Sequence, residues 1–392
     1  MKNKLFFDIG YVKLNKYGEE LCGDKMEILP REHGVISILS DGLGSGVKAN
    51  ILATLTSKIA ITMLKQGATI EEVVNTIINT LPVCKVRGLA YSTFTIIYGI
   101  NSGKVYIARF DNPPVFLKRD GAVTLIEGDD VQIADKNVKE AEFNIKDGDT
   151  IIAISDGILH AGIGRIMNLG WQEPELAAYI SKLPDELSAM SIAKKIITTC
   201  NDLYGDLPQD DASCMVLKYQ KPEKVTLLTW PPVEKNNDTK IVSELMYGKG
   251  KKIVCGGTAA SIVSRILEKP VNIDMSNSNP DIPPIAYIKG IDLVTEGVLT
   301  LAKALEILED YKSSISHIDD MFTNDKNTNA VYMLLKILLD EATHIRILFG
   351  RRVNPAHTEI GFPEDISSKH DIIKKLAEIL KEFGKIVTIE YY

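Results

Sequence analysis

Three aspartates stand where apolar runs meet polar chain: Ile38-Leu39-Ser40-Asp41-Gly42, Ile151-Ile152-Ala153-Ile154-Ser155-Asp156-Gly157, and Asp210-Asp211 ahead of Ala212-Ser213-Cys214-Met215-Val216-Leu217. Short apolar runs of this kind read as buried strands, and a carboxylate at the end of one is delivered to a sheet edge. Several such edges brought together supply hard oxygen donors, which suit Mg²⁺ or Mn²⁺ better than softer ions. The pattern points to metal-dependent chemistry on phosphate.

The elements that must position these residues can be read from periodicity. Residues 4–14 and 34–40 are expected as strands. From Gly46 to about Gln66 apolar residues recur at helical spacing, with Ile51, Leu55, Ile59 and Met63 as the expected buried face, and 69–81 repeats the helical pattern. Residues 91–100 and 103–110 form an expected hairpin around Asn101-Ser102-Gly103, and 114–119 with 122–126 a second one turning at Asp120-Gly121. A strand ends at Asp156, helices follow at about 173–182 and 187–203, and a last strand covers 212–219. This order lacks the regular alternation of a doubly wound sheet, so two sheets packed face to face with helices outside are expected.

The composition shifts near Lys221-Pro222. Pro231-Pro232 and the run Glu234-Lys235-Asn236-Asn237-Asp238 read as an exposed connection, giving domains at 1–220 and 240–392 with a linker at 221–239. The second domain alternates strand and helix: Lys252–Cys255, a turn at Gly256-Gly257-Thr258, a helix from Ala259 to Glu268, and a strand and turn at 291–297 before a helix through Leu308. A helix at 328–341, a strand at 344–349, a helix at 365–383 and a final strand at 385–390 complete a smaller α/β domain with a mostly parallel sheet. Gly256, Gly257 and Thr258 at a helix start could hold an anion, but glycines that permit close packing are the more common case. Arg351 and Arg352 after a strand are further anion candidates, although exposed arginines near loops are commonly plain surface.

The chain has 392 residues, 45% apolar and 25% charged, with a formal net charge of -7, which gives no electrostatic reason to bind nucleic acid. Cys22, Cys84, Cys200, Cys214 and Cys255 lack zinc or redox spacing and read as reduced core residues. The run Leu5-Phe6-Phe7 is cut by Asp8, so no signal-peptide core is expected. No stretch reaches the roughly 20 apolar residues of a membrane span. The expected location is the cytoplasm, with no membrane partner.

Asp41-Gly42-Leu43-Gly44-Ser45-Gly46 before a long helix, Asp111-Asn112-Pro113-Pro114, Ser155-Asp156-Gly157-Ile158 and Asp210-Asp211-Ala212-Ser213 together resemble the bacterial sporulation stage II protein E type serine phosphatases of the phosphatase 2C superfamily. The resemblance covers about residues 1–220. A lone Asp-Gly is ordinarily a turn, and the order and spacing of all these motifs make the match specific. It implies an α-β-β-α sandwich holding two or more Mn²⁺ or Mg²⁺ ions at one end, in agreement with the two-sheet reading. Carried over, Asp41 bridges both metals, the Gly42 carbonyl completes one shell, Asp156 and Asp210 share a metal, and Asp24 is an additional or outer ligand. Asp211 is the less certain half of its doublet.

The implied reaction is hydrolysis of a phosphoserine or phosphothreonine in a regulatory protein, such as an anti-sigma-factor antagonist, by a metal-activated water. No arginine precedes Asp24, so phosphate recognition would rest on the metals, with Lys13 or Lys16 as weaker helpers. His160, just after Asp156-Gly157-Ile158-Leu159, could act as a general acid to the leaving group, but a surface or structural role is the more common case. His160 and His33 stay outside the catalytic set because nothing in the sequence orients them. Gly44 and Gly46 lack the third glycine of a dinucleotide loop. Two other readings compete: a catalytically silent phosphatase-fold binding protein, and a small-molecule enzyme in the second domain with a regulatory first domain. Regulation, ligand binding or homodimerisation is expected of residues 240–392.

Overall fold

Every residue from Thr150 to Ile154 is buried, which requires cover on both sides of the sheet that holds this strand. The structure, a computed structural model, describes residues 5–80, 92–133, 136–274, 284–313, 329–351 and 366–392, so Cys84 and Arg352 lie outside the described residues. The chain divides into two units, Met1–Lys221 and Pro222–Tyr392.

In the first unit, β1 (Phe6–Leu14), β6 (Val115–Arg119), β7 (Ala122–Ile126), β10 (Thr150–Ile154) and β11 (Ala212–Gln220) form an antiparallel sheet in the order β1-β11-β10-β6-β7. A second antiparallel sheet runs β2 (Asp24–Arg31), β3 (Gly34–Gly42), β4 (Ser92–Ile100), β5 (Lys104–Phe110), β9 (Lys136–Asn144) and β8 (Asp129–Ile133). Phe7, Ile9, Ile151, Ala153, Met215 and Leu217 of the first sheet meet Leu39, Ile97 and Ile107 of the second in one buried layer. Outside the second sheet lie α1 (Gly46–Lys65) and α2 (Ile70–Thr80), which join Ile36, Ile38, Phe94 and Ile96 in a separate core. Outside the first lie α4 (Glu173–Lys182) and α5 (Ala189–Tyr204), with α5 packed on β1 and β11. The unit is an α-β-β-α sandwich.

The strands β2, β8 and β9 escape the periodicity reading. Each carries charged residues, β2 and β8 sit at the two edges of their sheet, and β2 accommodates Pro30, a residue tolerated on edge strands. The expected buried face of α1 is also corrected. Ala49, Ala53, Thr56, Ser57, Ala60 and Leu64 face the protein, whereas Ile51 and Leu55 are about half exposed. Small side chains let the helix approach the sheet closely, and the bulky ones are left outside. Ile59 and Met63 are partly buried at the margin of that core. At 20 residues α1 is long and apolar enough to cross a membrane by composition, contrary to the sequence expectation, but here its small-residue face is packed within the sandwich.

The second unit corrects the expected linker. Lys224–Thr229 forms β12, the middle strand of a sheet in which it pairs in parallel with β13 (Lys251–Cys255) on one side and β17 (His344–Phe349) on the other. The order is β14 (Asn272–Asp274), β15 (Ile285–Tyr287), β16 (Leu293–Thr295), β13, β12, β17 and β18 (Ile386–Tyr391), with antiparallel pairing only where β15 meets β14 and β16. The parallel part is doubly wound, and its order reverses between β12 and β17. On one face α6 (Asp238–Tyr247) and α7 (Gly257–Leu267) cover Leu228, Val254 and Leu348. On the other, α8 (Val298–Ser313), α9 (Ala330–Leu335, continuing as a π-turn to Glu341) and α10 (Ile366–Glu382) cover Val225, Leu227, Ile253 and Ile347. The Gly256 N–H is taken by the Thr295 carbonyl (2.8 Å), which ties β13 to β16. Arg351 is exposed, with its guanidinium 5.6 Å from the Tyr391 ring centre.

Because Leu227 is fully buried in the middle strand, Leu227→Ala is expected to cost about 2–5 kcal/mol. Val233→Ala, at a position 54% exposed, should stay within about 0.5 kcal/mol. Urea unfolding of the two variants checks this, and equal small effects would restore the linker reading.

Candidate metal centre

The ends of β3 and β10 and the residue pair before β11 converge on one pocket of about 540 Å³. Its lining includes Lys16, Asp41, Gly42, Asp111, Asp156 and Asp210. Thus Asp41, Gly42, Asp156 and Asp210 line the same pocket. Asp24 is not part of that lining. It pairs with Asp41 across β2 and β3, is 1% exposed, and takes a hydrogen bond at Oδ2 from Ser155 Oγ (2.7 Å).

Backbone proximity fixes these positions. A Cβ on Gly42 would stand 2.0 Å from the Ala49 carbonyl oxygen, so only glycine lets the end of β3 pass so close to α1. At Gly157 a Cβ would stand 2.0 Å from the Asp211 carbonyl oxygen, which brings the turn carrying Asp156 against the start of β11. Ser155 and Ser213 lock that junction: Ser155 N donates to Ser213 O (3.0 Å) and Ser213 N to Ser155 Oγ (2.8 Å). Ser92 Oγ donates to the Asp41 carbonyl (2.9 Å), and the buried Tyr204 hydroxyl donates to the Gly157 carbonyl (2.7 Å).

The loop between β1 and β2 ties both sides of the pocket. Tyr17 N donates to Pro208 O (2.8 Å) and Lys16 N to Asp211 Oδ1 (3.0 Å), while Asn50 of α1 donates to Cys22 O (2.8 Å). Ser45 Oγ, at the start of α1, donates to Glu19 Oε1 (3.0 Å). No acidic residue lies in the first turn of α1, so Glu19 supplies the negative charge that a helix N-terminus favours. Asp211 is 4% exposed and bound by this loop, a different setting from the half-buried Asp210.

The sequence reading left three lining or neighbouring groups outside its set of site residues. Asp111 follows β5 at a left-handed φ of 51°, and its neighbour Asn112 bridges Thr93 (2.6 Å) and Thr95 (3.0 Å) of β4. Lys16 lines the pocket, whereas it was weighed only as a weak phosphate helper. His160 sits at the end of α3 (Asp156–Leu159), four residues beyond Asp156, and its Nδ1 is 3.9 Å from Asp210 Oδ2. One ligand atom each from Asp156, His160 and Asp210 fall within 4.8 Å of one another. The signal available in the sequence was the i, i+4 spacing from Asp156, which puts two residues on one helix face. His33 stands exposed beside Glu32 at the β2–β3 turn.

Electrostatically the carboxylates oppose one another. Burial raises Asp24 to about 7, partly countered by the Ser155 and Ser213 hydroxyls, with Asp211 and Asp156 adding repulsion. Burial and the charges of Asp24, Asp156 and Asp210 hold Asp41 well above the ordinary carboxylate range, and burial and Asp210 raise Asp156. The Asp210 carboxylate raises His160. Asp24 Oδ1 is buried with no hydrogen-bond partner. An orphaned carboxylate oxygen behind clustered acids, with donors that are chiefly oxygen, fits divalent cations.

A carboxyl whose pKa rises on folding stabilises the folded state only while protonated. In chelator-treated protein, the unfolding free energy is therefore expected to fall as pH rises from about 4, where the unfolded carboxyl titrates, to about 7. Added Mn²⁺ should flatten that slope. Urea titrations across this pH range check both, and a metal-free profile that rises through the window would contradict the assignment.

Comparison with known proteins follows the same boundary. The family model described as Stage II sporulation protein E (SpoIIE) matches residues 31–220. Stage II sporulation protein E of Bacillus subtilis (strain 168) is 24% identical over 200 residues, which are 49% of this chain and 24% of that protein. Among solved structures, the phosphatase domain of SpoIIE from Bacillus subtilis with a fragment of its regulatory domain is 19% identical, with a TM-score of 0.49 over 56% of this chain and 63% of that one. The RsbU and RsbW domains of Rv1364c from Mycobacterium tuberculosis are 15% identical, with a TM-score of 0.48 over 62% and 69%. Residues 31–220 of this chain are therefore similar to the SpoIIE family over that segment, and the chain spans about a quarter of the length of the curated relative it matches.

Proposed function

We propose that the first unit is a serine/threonine phosphoprotein phosphatase that depends on Mn²⁺ or Mg²⁺. The observation that carries the reading is the convergence of Asp41, Asp156 and Asp210 on one pocket, where each of the first two is pushed toward protonation by burial and by its acidic neighbours. Such a cluster is stable as carboxylates only beside positive charge. Asp41, Asp156, Asp210 and the Gly42 carbonyl would hold two or more ions, with Asp24 reinforcing the negative field from behind Asp41. When bound, the ions supply positive charge for phosphoryl oxygens and a water acidified toward neutrality.

The chain's own contribution is geometric. Gly42 and Gly157 let two strand ends approach, the Ser155 and Ser213 pair holds them in register, and Lys16 adds a cationic side chain to the lining. No side chain needs to form a covalent bond to phosphorus in this scheme. A pocket of about 540 Å³ suits a phosphorylated side chain presented by a protein. The proposed substrate is a phosphorylated regulatory protein, with an anti-sigma-factor antagonist as the first to try, and the proposed setting is the cytoplasm. Residues 222–392 are proposed to serve sensing, substrate choice or dimerisation.

Mn²⁺-dependent phosphate release from a phosphoserine protein or an aryl phosphate tests the reading. Asp41→Asn and Asp156→Asn should each lower turnover by roughly two orders of magnitude or more, the scale on which loss of preorganised electrostatics acts. Turnover that survives chelation, or variants as active as the wild type, would sink it.

A further inference from the structure

We infer that His160 is a metal ligand, so that this centre combines an imidazole nitrogen with its carboxylate oxygens and prefers Mn²⁺ to Mg²⁺. The inference rests on the metal-centre reading above and adds a residue and a selectivity that the motifs did not supply.

Geometry carries it. The His160 backbone N–H donates to the Asp156 carbonyl (3.1 Å), so the turn of α3 presents residues 156 and 160 on one side. His160 Nδ1 stands 3.9 Å from Asp210 Oδ2, and a nitrogen of His160 with one oxygen each of Asp156 and Asp210 lie within 4.8 Å of one another. Donors each about 2.1 Å from an octahedral ion are roughly 3 Å apart when adjacent and about 4.2 Å apart when opposite. Bringing these three atoms into one coordination sphere therefore takes a closure of up to about 1.8 Å per pair, shared between two side chains, and His160 and Asp210 are only partly buried and have room for it. Independently, the buried Asp24 Oδ1 lacks a partner next to the same cluster, which marks the locality as short of positive charge.

Selectivity follows from ligand chemistry. Mg²⁺ holds oxygen donors and retains its waters, whereas imidazole is a good ligand for first-row transition ions. One nitrogen in an otherwise oxygen site consequently favours Mn²⁺ over Mg²⁺. A centre built from carboxylates alone would lack that bias.

Electron spin-echo spectroscopy of Mn²⁺ bound to the full chain reads the ligand directly, because a coordinated imidazole imposes ¹⁴N modulation. The wild type should show it and His160→Gln should not. Calorimetric titration of the same proteins should give at least about a tenfold loss of Mn²⁺ affinity in His160→Gln, and a smaller loss for Mg²⁺. His160→Glu restores an oxygen donor, and it should retain bound Mn²⁺ without nitrogen modulation while narrowing the preference between the two ions. Bound Mn²⁺ in the wild type without ¹⁴N modulation would overturn the role of His160 and leave the metal centre standing. Failure of the wild type to bind either ion would overturn both.

Discussion

Repulsion among acids that the backbone will not let apart is the constraint on which the first unit is built. Asp24 and Asp41 come from the second sheet, Asp156 and Asp210 from the ends of strands in the first, and all meet at one end of the sandwich. Left to themselves such groups would separate or neutralise. They are held because their neighbours are tied by backbone contacts: Gly42 against Ala49, Gly157 against Asp211, Ser155 with Ser213. Local stability is given up where a cation can return it, a conflict expected at functional sites and rare elsewhere.

The loop from Asn15 to Gly23 extends this logic. It bonds the start of β11 through Asp211 and Pro208, and it bonds α1 through Ser45 and Asn50. The helix start, the β3 end and the Asp210 turn are consequently one connected structure, so displacement of α1 would be felt at Asp41 and Gly42. The helix approaches its sheet through alanine, serine and threonine, and this leaves Val47, Ile51 and Leu55 on its outer face.

The second unit solves a different problem. A parallel sheet must be covered on both faces, and β12 accordingly presents Val225 and Leu227 to one helical layer and Leu228 to the other. Its order reverses next to β12 because the chain starts in the middle of the sheet and winds outward twice. The residues that look like a connector in the sequence are the strand from which that winding begins.

Asp41, Asp156 and Asp210 were legible in the sequence because each borders a run of apolar residues, closing it at Asp41 and Asp156 and opening it at Asp210, and burial of such a run dictates where its ends emerge. The two-sheet layering was legible for the same reason, from hairpins and apolar strands. The edge strands β2 and β8 and the neighbouring β9 were not, since a strand with one solvent-facing side and charged residues carries little apolar signal. β12 was hidden by the Pro231-Pro232 pair that follows it, and the inner face of α1 by the assumption that the largest apolar residues point inward. The fold set His160, Asp111 and Lys16 beside the pocket, because a side chain's neighbours depend on turns and loop paths that periodicity does not encode. The sequence by itself determined which strands are buried and where their carboxylates emerge; the tertiary structure decided which of those carboxylates face one another and which other side chains join them, because that depends on contacts between residues far apart in the chain.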